Sequence, residues 1–131
     1  MKRKSKEQLV EMFNKAFDIP VKRKPTLLTR DEYQLKFKLL NEELHEYLEA
    51  CIQGDIVEVA DAIVDMQYIL SGIIIGHGFQ DLFDDLFIEV HESNMSKLEN
   101  GKVLRRKDGK VLKGKNYFKP DLKKIMKNGK H

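Results

Sequence analysis

An all-α fold is what this sequence predicts, and three observations predict it. Apolar residues recur at three- and four-residue spacing through most of residues 5–99, the period of helices that bury one face. Helix-starting residues (Ser5, Thr29, Asp55) and helix-stopping glycines (Gly54, Gly76, Gly78, Gly101) divide that region into segments of helical length. The pattern changes only after Gly101, where two short apolar runs flank Asp108-Gly109. The expectation is a single domain over residues 1–131: an antiparallel four-helix bundle-like core over about 5–99, then a basic tail over about 100–131.

Each element has its own justification. Ser5 with Gln8 forms a capping box for a first helix, whose apolar face is Leu9, Met12, Phe13, Ala16 and Phe17 and which should stop near Pro20. A basic linker leads to Thr29, which with Glu32 forms a second capping box for a long helix reaching about Cys51. The third helix runs from Asp55 to about Ile75 and the fourth from about Gln80 to Leu98, before Asn100-Gly101. Asp108-Gly109 suits a tight hairpin turn, and Pro120-Asp121-Leu122 opens a short last helix.

Cys51 is the one cysteine, so no intramolecular disulfide can form and no Cys/His zinc spacing exists, which points to a reducing compartment. The apolar positions of the N-terminal stretch are interrupted by Glu and Lys, as in neither a signal peptide nor a membrane span. The expected location is the cytoplasm. The net charge of +3 hides a segregation: residues 1–30 and 100–131 are strongly basic, whereas residues 31–99 carry sixteen acids against three Lys/Arg. Something cationic must offset that middle.

The acids are arranged in stripes. On the third helix Glu58, Asp61 and Asp65 share a face otherwise surrounded by Val, Ile, Ala, Met and Leu. A helix apolar nearly all round is expected to be buried, taking its acids partly with it. The second helix carries Glu42, Glu43 and Glu46 at matching spacing, and a short loop would bring the two stripes together. Like charges about 4 Å apart repel by ~4 kcal/mol at an effective dielectric near 20, and desolvation adds to that. A hard divalent cation relieves both costs, and Mg²⁺ accepts carboxylate oxygens. Acids at this spacing otherwise form a solvated face, and Glu58 sits where it can help cap its own helix. The apolar surroundings and the second set favour the metal, with Asp65 an outer candidate.

Glu42-Glu43-x-x-Glu46 followed by Glu58-x-x-Asp61 resembles the EExxE…ExxD signature of the MazG-like, all-α nucleoside triphosphate pyrophosphohydrolases. FNKAFDIP, GDIVEVADAIVD, VHESNMSKL and DGKVLKGKNYFKPDL extend the resemblance over most of the chain, toward the small stand-alone phage and bacterial type. The resemblance implies hydrolysis of a nucleotide between its α- and β-phosphates, giving monophosphate and pyrophosphate. It implies Mg²⁺, with Mn²⁺ as a substitute, held by Glu43, Glu46, Glu58 and Asp61. Glu42 is then the candidate for activating the attacking water or for a further metal. Asn94-Met-Ser-Lys97 is similar to the family's phosphate-contacting NxxK, with His91 one turn earlier. Lys113, Lys115, Asn116 and Tyr117 are candidates to close over the nucleotide. Tyr33, Phe37, Tyr47 and Tyr68 are aromatic candidates for a base pocket, though such residues usually form core.

A different class, a basic helical nucleic-acid-binding module, would explain the basic ends but gains nothing from two facing acidic stripes. The expected partner is therefore a nucleotide, with no membrane and no nucleic acid. The apolar surplus in Ile69, Leu70, Ile73, Ile74 and Ile75 suggests a homo-oligomer, a dimer or tetramer.

Overall fold

The computed structural model describes residues 2–128. It is all-α: α1 (Lys6–Ala16), α2 (Arg30–Gln53), α3 (Ile56–Gly76), α4 (Phe83–Met95) and α5 (Leu122–Asn128), with no strand among the described residues. The chain divides into two compact units, Met1–Gln80 and Asp81–His131.

In the first unit both expected capping boxes form. Ser5 Oγ accepts from Gln8 N while Gln8 Oε1 accepts from Ser5 N, and Thr29 and Glu32 do the same for α2. The first helix ends at Ala16 rather than near Pro20, and Asp18 then takes a left-handed conformation. From there the chain runs along the end of α3, with Lys22 N donating to Ile75 O and Thr26 N to His77 O. Gly54, at φ 71°, closes α2. The very next residue, Asp55, accepts from Val57 N and Glu58 N to start α3.

This two-residue connection folds α2 and α3 into an antiparallel pair. Lys36 reaches Gly72 near one end, while Glu46 and Ala50 share a groove with Glu58 and Asp61 at the other. Gly76 leaves room for Lys36, whose Cε would lie 3.0 Å from a Cβ there. Burial holds the Lys36 ammonium below its usual pKa. α1 packs on the C-terminal half of α3, where Ser71 and Ile75 are fully buried. Ser71 Oγ donates to Glu7 Oε2 and accepts from Gln67 Nε2, so the buried hydroxyl is fully bonded.

The third helix is less enclosed than expected from its composition. Ile74, Ile75 and Ala62 are buried, but Ile56, Val57, Ile63 and Val64 are exposed. Among the described residues of this unit, α1 packs on the C-terminal half of α3 and α2 along one side. By length and mean hydropathy (1.5) α3 could cross a membrane, a test that core helices of soluble proteins also pass. It carries Glu58, Asp61 and Asp65 and packs on α1 and α2.

In the second unit α4 starts at Phe83, three residues later than expected, after a cap residue, Leu82, that supplies no side-chain bond. It ends at Met95. The tail forms a turn, not strands: Arg105 and Val111 make an isolated bridge, and Gly109, at φ 92°, closes the turn that Asp108 braces by accepting from Lys110 N.

Candidate active site

The α2–α3 pair supplies the carboxylates. Glu43, Glu46 and Asp65 present oxygens all within 4.8 Å of one another. Glu43 and Asp65 are half-buried and Glu46 exposed, so the cluster sits at the mouth of the helix seam. Beside it Glu46, Glu49, Asp55, Glu58 and Asp61 line a groove of about 460 Å³. Asp55 is already committed to capping α3. Glu58 and Asp61 are exposed on the groove wall, and the charge of Asp61 is felt at Glu43.

Glu43 carries the strongest chemical signal. Its Oε2 is buried and has no hydrogen-bond partner. Burial, then a hydrogen bond and charge from Glu46, then the charges of Asp65 and Asp61 push its pKa up to about 7. A buried carboxylate oxygen without a protein partner, among other carboxylates, is a site that a cation or a proton would satisfy. The donor set, all hard oxygens, fits Mg²⁺.

The sequence-derived residues are thus distributed as follows. Glu43 and Glu46 belong to the close cluster, Glu58 and Asp61 line the groove beside it with Glu46 rather than joining the closest three, and Glu42 is exposed on α2. Asp65, expected to be an outer group, lies among the closest three. Antiparallel pairing sets Asp65 opposite Glu43, and a register of that kind is invisible until the loop length is known. The candidates for contacting the phosphates belong to the second unit. Lys97 is half-buried near the end of α4, whereas His91 and Asn94 are exposed. The tail returns to this point, because Gly114 N donates to Lys97 O at 2.9 Å, bringing Lys113 and Lys115 to the end of α4. Lys113 Nζ lies 4.8 Å from the centre of the Tyr117 ring. Sequence reasoning did not single out Ser93 and Ser96, which hold that tail segment. Of the aromatic candidates, Tyr68 packs edge-on against Phe13, and Phe37 is 70% exposed.

The class is the MazG-like, all-α nucleoside triphosphate pyrophosphohydrolase superfamily, and the antiparallel helix pair with its carboxylates is consistent with it. Within it the chain belongs to the phosphoribosyl-ATP pyrophosphohydrolase family, whose sequence model matches residues 10–94. The reaction class is therefore pyrophosphohydrolysis of a nucleotide-like substrate, in a superfamily generally dependent on divalent metal. No curated protein matches the chain.

Proposed function

We propose that the protein hydrolyses a nucleoside or deoxynucleoside triphosphate to monophosphate and pyrophosphate with Mg²⁺, serving nucleotide-pool housekeeping. The observation that carries this is the buried, partnerless Glu43 Oε2 beside Glu46 and Asp65, in a chain of a pyrophosphohydrolase family. Glu43, Glu46, Glu58 and Asp61 would hold the ion, and Asp65, with an oxygen within 4.8 Å of those of Glu43 and Glu46, is a further candidate. Bound there, Mg²⁺ would supply charge neutralisation for the phosphates and lower the pKa of water. Glu42, exposed and one residue from Glu43, would accept a proton from the attacking water. Asn94 and Lys97 contact phosphate oxygens, His91 touches the nucleotide, and Lys113 and Tyr117 close over it.

The test is a panel of nucleoside and deoxynucleoside triphosphates together with phosphoribosyl-ATP, assayed with Mg²⁺ for pyrophosphate and monophosphate. Pyrophosphate from at least one substrate is expected. Orthophosphate as the product, or no cleavage of any member, would overturn the reading.

The same proposal includes self-association. On α2, Tyr33, Phe37, Leu44 and Leu48 are all exposed and recur at spacings of four and seven, one continuous stripe along the helix. α3 adds the exposed Ile63 and Leu70. A stripe of this length is covered in water by apolar surface, and a second copy of the chain supplies one.

A further inference from the structure

In the second unit the tail is fastened to α4 by side chains rather than by a sheet. Ser93 Oγ donates to Phe118 O at 2.8 Å, and Phe118 N donates to Ser96 Oγ at 3.1 Å. Both main-chain groups of Phe118 are thereby satisfied by two hydroxyls one helical turn apart, much as a neighbouring strand would satisfy them. A serine inside a helix commonly spends its hydroxyl on its own helix, and Ser96, just past the end of α4, likewise donates to Ser93 O at 2.6 Å. Ser93 does not. It is buried and donates across 25 residues of sequence.

Two further bonds extend the fastening. Asp121 N donates to Glu89 Oε2 at 2.8 Å, one turn before Ser93, and Gly114 N donates to Lys97 O. At Gly114 the approach is so close that a Cβ would stand 2.8 Å from Lys97 O, so any larger residue would push the strap off that carbonyl. The side chains next to Gly114 are cationic. Lys113 is steadied over the Tyr117 ring and Lys115 lies 3.8 Å from Glu99.

We propose that Ser93 and Ser96 are positioning residues for phosphate binding. Their hydroxyls hold the strap 113–121 on α4 so that Lys113 and Lys115 stand with Lys97 as one cationic clamp for the β- and γ-phosphates, the pyrophosphate end of the substrate. This rests on the assignment of Lys97 and Lys113 to the substrate given above, and the experiment separates the two.

Amide hydrogen exchange across residues 113–121 and steady-state kinetics are measured for wild type, Ser96→Ala, Ser96→Thr, Lys113→Ala and the Ser96→Ala/Lys113→Ala double variant. Ser96→Ala is expected to speed exchange at Phe118 about tenfold and raise KM about tenfold, with kcat changed less than about threefold. Ser96→Thr, which keeps the hydroxyl, restores both. The double variant binds worse than Lys113→Ala by less than the full effect of Ser96→Ala alone, because only Lys115 is then left for the strap to position. In the wild type, inorganic pyrophosphate with Mg²⁺ slows exchange over 113–121. That measurement needs no variant to fold. If Ser96→Ala loosens the strap while KM stays put and Lys113→Ala raises it, the positioning role is wrong and the substrate contact stands. If Lys113→Ala also leaves KM unchanged, the substrate assignment falls with it. Unaltered exchange in Ser96→Ala, or no protection by pyrophosphate, overturns the proposal directly.

Discussion

Replacing Glu43 by Gln tests the acidic seam with one atom. Glu43 Oε2 is buried without a partner, and the oxygens of Glu46 and Asp65 lie within 4.8 Å. A pair of unit charges at that separation repels by about 1–3 kcal/mol for effective dielectrics between those of water and a protein surface. The amide keeps the shape, removes the charge, and can donate to Glu46 the hydrogen bond that the acid donates only when protonated. In chelator at pH 8, Glu43→Gln should therefore be more stable than wild type by about 1–3 kcal/mol, a rise in Tm of roughly 3–10 °C. The sign depends on pH. The folded-state pKa of Glu43 is raised to about 7 from 4.5, so between those values the native state keeps a proton that the unfolded chain has released. Wild-type stability consequently falls as pH rises through that window, and below it Glu43 is neutral in both states. The advantage of the variant should shrink toward zero at pH 4 to 5. Mg²⁺ should stabilise wild type more than the variant, and pyrophosphate release by the variant should fall at least about tenfold. Thermal unfolding at the two pH values, with Mg²⁺ or chelator, reads all of this. A variant less stable than wild type in chelator at pH 8, or an advantage equal at both pH values, would refute the reasoning.

Three further outcomes are expected. Asp61→Asn should hold or gain stability in chelator while losing pyrophosphate release by at least about tenfold; destabilisation in chelator with wild-type turnover would make Asp61 a structural acid. Gly78→Ala should cost at least about 2 kcal/mol in urea unfolding, since Gly78 has φ 79° and a Cβ would meet Lys24 O at 2.1 Å; a cost under about 0.5 kcal/mol would contradict that packing. The wild type should show the mass of a dimer or larger by light scattering at micromolar concentration, and Leu44→Ser with Leu48→Ser should lower it; a monomeric wild type would leave the α2 stripe uncovered.

Much of this architecture was legible because local chemistry decides helix ends. Ser5 with Gln8, Thr29 with Glu32, Gly54 and Asp55 each signal their role within four residues, and each plays it. The end of α1 and the start of α4 were not, because Asp18 and Leu82 are held by main-chain geometry and neighbours rather than by capping side chains. Acidic stripes were visible as periodicity. The membership of Asp65 was not, since it depends on which residue faces Glu43 across the pair. The bonds of Ser93 and Ser96 join positions more than twenty residues apart, and no local pattern announces them.

Glu43, Glu46, Glu58, Asp61 and Asp65 all belong to two consecutive helices joined at Gly54-Asp55. Loop closure for so short a connection costs little entropy, so this pair can form early in folding. During synthesis it emerges whole before Lys97 or the strap has been made, and domains formed first on the ribosome can settle before later segments appear. A nascent chain would then carry its concentrated negative charge for a time without the basic tail that follows.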